Sequence, residues 1–213
     1  MEKSSYRFLV MHQPHKIVGM FEENVAEYTG AKYAVSCDNC TNAIRIACEM
    51  FDPTEVTIPS RTYLSVPQSI LQAGHKLMFD HDMNDWTGLY KLEGLPVYDS
   101  AKRFTSDMYI AGSLMCLSFG IKKPLKLGKG GMILTDDYSL YKKLKQKRWS
   151  GRTEGVPMEE DNLPFLGYNS YITPEWAAWG MMMLSVYPKH AEDQPNEDYP
   201  DCSKYEIFNN WGF

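Results

Sequence analysis

The side chains with the most chemical potential fall into three groups. Cys37 and Cys40 form a C-x-x-C between an apolar run and a helical pattern. A helix N-terminus there could lower a thiol pKa and support thiol–disulfide exchange. A zinc site would need a second pair, and Cys48, Cys116 and Cys202 supply none at suitable spacing. Among the histidines only His12 and His15 are near each other, so no metal site is expected. The third group is KKPLKLGKGGM, residues 122–132. It lacks the G-x-x-x-x-G-K-(S/T) spacing of a phosphate-binding loop, and in isolation it reads as a solvated lysine loop. Upstream, Ser118 closes a strand-like run five residues before Lys123, and Asp99 closes an earlier one. Strand ends of a parallel sheet are where α/β proteins assemble their sites.

The elements that would position these residues alternate. Val18, Phe21, Val25 and Tyr28 share one face of a helix over Ile17–Tyr28, which Gly30 ends. KYAVSC reads as a strand, and TNAIRIACEMF as a helix capped by Thr41 or Asn39. VTIPS and KLMFD read as strands flanking the helix TYLSVPQSILQAG. Between Phe79 and Val97 the chain is mostly turn chemistry, followed by strands at LPVYD, LMCLSF and GGMILTD. DDYSLYKKLKQKRW is helical, and its cluster Lys142, Lys143, Lys145, Lys147 and Arg148 reads as a solvated face. Residues 150–170 are irregular, and TPEWAAWGMMML forms an apolar helix with Pro174 in its first turn. This predicts an α/β fold with a mostly parallel sheet covered by helices. Residues 1–187 form one domain, with a compressed middle over 80–97, and the acidic, proline-bearing 188–213 is an extended tail.

The 213 residues, 44% apolar and 23% charged, are ordinary globular composition. A net charge of -5 leaves no basic field for nucleic acid or an anionic membrane. No run approaches the ~20 apolar residues of a membrane helix, and the opening residues lack a signal-peptide pattern. Five cysteines without framework spacing point to a reducing, cytoplasmic setting.

Five stretches, in order, resemble the DegT/DnrJ/EryC1/StrS family of fold-type-I sugar aminotransferases. FEENVAEYTGAKYAVSCDNCTNAIRIA is similar to the family's opening helix, strand and phosphate turn, S-x-G-T-x-A-L. PSRTYLSVPQSILQAGHKLMFD resembles its P-S-(F/Y)-T-(F/W)-x-(A/S)-(S/T) stretch, and YDSAK its E-D-(A/S)-A-(Q/H). SFGIKKPLKLGKGGMILTDD resembles S-F-x-x-x-K-x-(L/I)-x-x-G-E-G-G, which selects Lys123 over Lys122. That lysine lies five residues after Ser118 and seven before Gly130. GYNSYITPEWAAWGMMML resembles G-Y-N-x-R-(M/L)-x-(D/E)-x-x-A-A-x-(G/A).

The resemblance implies a three-layer large domain that binds pyridoxal 5'-phosphate (PLP), with Lys123 as the Schiff-base lysine and Asp99 beside the pyridine nitrogen. Tyr63 would stack on the ring, while Cys40, Thr41 and Ser118 would hold the phosphate. Lys102 would meet the ring hydroxyl. Asn169 would reach the phosphate of a neighbouring subunit, implying a homodimer. The implied reaction moves an amino group from an amino acid, glutamate, to a nucleotide-linked keto-sugar. A second reading keeps PLP or partner binding without turnover, and a third keeps the lysine for another PLP reaction such as dehydration. The sequence departs from the family pattern at Cys40, Lys102 and Lys129, which stand where it has Gly, Gln or His, and Glu. The stretch before Asp99 is shorter than the family's.

Overall fold

A computed structural model describes residues 15–196 and 199–209; His12 and the opening segment lie outside them. The apolar face over 17–28 becomes α1 (His15–Thr29), which buries Val18, Phe21 and Val25. Strand β1 (Tyr33–Cys37) leads into α2 (Cys40–Cys48), whose cap is Asn39 rather than Thr41. The Asn39 side chain accepts from the Asn42 N–H at 2.7 Å. Then follow β2 (Glu55–Pro59), α3 (Ser65–Gln72) and β3 (Lys76–Asp80). Next are β4 (Tyr90–Leu92), β5 (Val97–Asp99), β6 (Leu114–Ser118) and β7 (Gly131–Thr135). Helices α4 (Tyr138–Arg148), α5 (Pro174–Ser185) and the short α6 (Glu206–Asn209) complete the described elements.

The main sheet runs β1-β7-β6-β5-β4, and β2 pairs with β3. Thr57 and Glu93 exchange both backbone hydrogen bonds at 2.9 Å, so one reciprocal pair joins β2 to the end of β4. Gly94 makes that junction possible. Its φ is +103°, and a Cβ there would lie 2.3 Å from the Glu55 carbonyl oxygen.

The expected mostly parallel sheet is a mixed one. β2–β3 and β5–β6 are parallel, while β1–β7, β6–β7 and β4–β5 are antiparallel. The connections explain this. A parallel return needs a long crossover, such as the one that contains α3, whereas β4 reaches β5 through residues 93–96 and β6 reaches β7 without a helix. Strand β4 itself falls in the stretch read as turns.

Strand residues alternate between two cores, giving three layers. Val35, Cys116 and Ile133 pack toward α2, α3 and α4, whereas Ala34, Met115, Leu117, Met132 and Leu134 pack toward α1 and α5. Each fully buried Ile or Leu contributes about 1.5–3 kcal/mol. No helix among the described residues is long and apolar enough to cross a membrane.

Two sequence readings change. The basic face of α4 is only partly solvated: Arg148 is 1% exposed and pairs with Glu22 and Glu154, and Lys145 bridges the same two acids at 3.0 and 2.8 Å. The acidic segment after Pro188 is no loose extension. Asp193 pairs with Arg103, the Cys202 N–H donates to the Ser60 carbonyl at 2.7 Å, and Cys202 and Phe208 are buried. Composition missed this because the anchors are single residues spread through polar sequence.

Candidate active site

A cleft of about 740 Å³ opens where the ends of β5 and β6 meet the starts of α2 and α3. Cys40, Thr41, Tyr63, Asp99, Lys102, Ser118 and Lys123 all line it. Of the cofactor-site residues that the resemblance implies, Asn169 alone lies elsewhere; it is exposed and bridged to Trp149.

Strand β5 delivers Asp99, 3% exposed, to the cleft floor. Its carboxylate accepts from the Tyr90 hydroxyl at 3.1 Å and the Ala101 N–H at 2.9 Å. Tyr90 comes from the unforeseen β4, directly opposite Asp99 in the β4–β5 pairing. Burial pushes the Asp99 carboxyl above its ordinary range, partly offset by the Ala101 N–H, the Lys123 charge and the Tyr90 hydroxyl.

Lys123 sits on the turn after β6, and its Nζ donates to the Tyr199 hydroxyl at 3.0 Å. Burial lowers the Lys123 ammonium, but Tyr199, then Asp99 and Cys40, carry it above the usual lysine value. Lys123 and Asp99 therefore face one cleft and act on each other's charge.

The other end of the cleft suits an anion. Asn39, Cys40 and Thr41 at the start of α2, and Leu64, Ser65 and Val66 at the start of α3, all line it. Helix starts carry unpaired N–H groups and a partial positive charge. The Thr41 and Ser65 hydroxyls lie 2.6 Å apart at this point. Gly131 brings β7 against this turn, since a Cβ there would meet Asn39 and Cys40 backbone at 2.5–2.6 Å. The Cys40 thiol points to the Cys116 carbonyl, 3.7 Å away in the sheet, and so leaves its backbone free to approach an anion. Burial pushes Cys37 to about 12 and Cys40 well above an ordinary thiol, the opposite of an activated redox pair.

A buried acid, a lysine and a double helix start meet the needs of PLP for a ring-nitrogen partner, a covalent anchor and a phosphate site. Two expectations shift. Lys102 donates to the Pro195 carbonyl, so its amine is engaged by the C-terminal segment. Tyr63, 56% exposed, lies at the mouth with its ring centre 6.1 Å from that of Tyr199. Sequence reasoning missed Tyr199 and Tyr90. Nothing in local pattern marks Tyr199, and Tyr90 opens YKL, a stretch too short to show a period.

A model of the DegT/DnrJ/EryC1/StrS aminotransferase family matches residues 11–94 and 102–194. GDP-perosamine synthase of Caulobacter vibrioides is 26% identical over 213 aligned residues, covering 80% of this chain and 57% of that protein. The UDP-4-amino-4,6-dideoxy-N-acetyl-beta-L-altrosamine transaminase of Campylobacter jejuni is 23% identical, covering 83% of this chain and 58% of its own length. The chain thus spans under two thirds of these relatives. Among solved structures, AtS13 of Actinomadura melliaura superposes with a TM-score of 0.72 at 16% identity, over 86% of this chain and 63% of AtS13. That likeness confirms the three-layer fold.

Proposed function

Because this chain belongs to the DegT/DnrJ/EryC1/StrS aminotransferase family, we propose that it is a PLP-dependent aminotransferase. It moves an amino group from an amino acid, glutamate, to a nucleotide-linked keto-sugar. The observation that carries this reading is the shared cleft of Lys123 and Asp99 beneath two helix starts. The names of the two curated relatives, one a GDP-linked and the other a UDP-linked amino-sugar enzyme, support the acceptor class.

When bound, the cofactor supplies an electron sink for the carbon that loses its proton. The protein's part is positional. Asp99 holds a proton on the ring nitrogen, and its bonds from Tyr90 and Ala101 keep the carboxylate aimed. Thr41, Ser118 and the α2 backbone bind the phosphate, and Tyr63 offers a ring face at the mouth. Lys123 Nζ would anchor the cofactor and, once the amine of the donor has displaced it, would be free to take the proton from the α-carbon of the donor. A homodimer lets the exposed Asn169 serve a neighbouring cleft, and exposed Trp179 and Met182 on α5 offer packing surface for it. The engagement of Lys102 by Pro195 favours a second reading, in which PLP is retained without turnover.

Spectroscopy separates these. Purified protein with PLP should show a visible absorption band that Lys123→Ala abolishes, and glutamate should bleach it. A band that no amino acid discharges supports the second reading; a colourless protein that takes up no PLP removes both.

A further inference from the structure

The segment that closes the cleft lies beyond the family match, which ends at residue 194. It brings Tyr199 directly onto the lysine: Lys123 Nζ and the Tyr199 hydroxyl are 3.0 Å apart. Two further side chains pack against the ring. Trp86 stacks against it with centroids 5.9 Å apart at 22°, and the Lys102 ammonium lies 4.8 Å from its centroid. The flanking chain is anchored before and after the ring. Asp193 pairs with Arg103, the Asn196 amide donates to the Arg61 and Asn84 carbonyls at 3.1 Å, and Cys202 is bonded to Ser60. A phenol held so firmly is part of the cleft wall.

We propose that Tyr199 is a further residue of the cofactor site, holding the Lys123 amine in place and presenting its hydroxyl to the atoms that react there. Lys102 and Tyr199 both line the cleft, and the Lys102 amine donates to the Pro195 carbonyl while the Tyr199 hydroxyl meets Lys123. The inference rests on Lys123 being the cofactor lysine. The groups that raise the pKa of that amine are Tyr199, Asp99 and Cys40, and the cations Lys102, Lys122 and Lys129 line the same cleft. Burial lowers the ammonium and Tyr199 is the largest influence opposing it, so removing the hydroxyl leaves burial in command.

The test uses the full chain as wild type, Tyr199→Phe and Lys123→Ala. Acetic anhydride labelling of Lys123 against pH, read by peptide mass spectrometry in cofactor-free protein, reports the proton affinity of the amine, with exposed Lys126 as internal reference. In Tyr199→Phe the labelling midpoint should fall by about one unit while that of Lys126 stays put. Normalised to the fraction of neutral amine that the labelling gives at that pH, PLP dissociation should be about tenfold weaker, the loss expected for one hydrogen bond to a charged group. An unmoved midpoint overturns the proposal. So does normalised PLP binding in Tyr199→Phe that is unchanged or tighter, which would make the ring a bystander or a plug. Borohydride reduction and peptide mapping that place PLP on another lysine of the wild type would overturn the Lys123 reading as well, and so separate the two failures.

Discussion

Two clusters of buried ionisable groups flank the end of β1, and they are built on opposite rules. On one side Arg148 is buried with Glu22, Glu154, Lys145 and the hydroxyl and carbonyl of Ser36, opposite charges interleaved and bonded to one another. On the other, four residues along, Cys40 borders the cleft that Asp99 and Lys123 both line. The first cluster welds α1, β1, α4 and the loop after it. The second holds its acid and amine on separate neutral partners, Asp99 on the Tyr90 hydroxyl and the Ala101 N–H and Lys123 on the Tyr199 hydroxyl. Charge burial alone therefore does not mark a reactive site; buried charge beside room for a ligand does.

Breaking each cluster should expose this difference. The largest effect is expected from Arg148→Met, which removes the fully buried cation and leaves Lys145 to neutralise both Glu22 and Glu154; it should cost about 3–5 kcal/mol in urea unfolding. Lys123→Met, by contrast, should cost under about 1 kcal/mol in the cofactor-free protein, because the cleft is built to be emptied. A comparable loss from both would erase the distinction.

The acid-range pH dependence should then separate the clusters by sign. The Glu154 carboxyl, despite burial, is held below its ordinary 4.5 by Arg148 and Lys145. Its stabilisation is present above that value and lost as pH falls through the folded one. Asp99 is raised above 3.8, first by burial. Its contribution is complete below that value and lost as pH rises through the folded one. Urea midpoints from about pH 3 to 7 should show Glu154→Gln falling further behind wild type as pH rises, and Asp99→Asn gaining on it. Parallel trends would contradict the assignment. The smallest effect sets the baseline: breaking the exposed Lys76–Glu55 pair, 2.8 Å apart, with Lys76→Ala should change stability by no more than about 0.5 kcal/mol and vanish in high salt.

Much of the framework could be read from the chain because its signals are local. Apolar spacing marks α1, the side chain of Asn39 caps α2, and five-residue β-branched or apolar runs mark β2, β6 and β7. The residues around Asp99, Ser118 and Lys123 followed from motif order, and the fold brings them to one cleft. What escaped is what depends on distant partners. Three residues at Tyr90–Leu92 are too few to show a period, strand direction depends on the connections, and Arg148 looks like any other basic helix residue until Glu22 arrives from 126 positions away. Tyr199 meets Lys123 across 76 positions, and no neighbouring residue hints at it.

That long separation has a bearing on how the protein is made. Synthesis runs from the amino end, so every strand of the sheet and the lysine itself leave the ribosome well before Tyr199 does. A growing chain can assemble its layered body while one side of the cleft is still untranslated, so the wall that Tyr199 supplies joins a body already made.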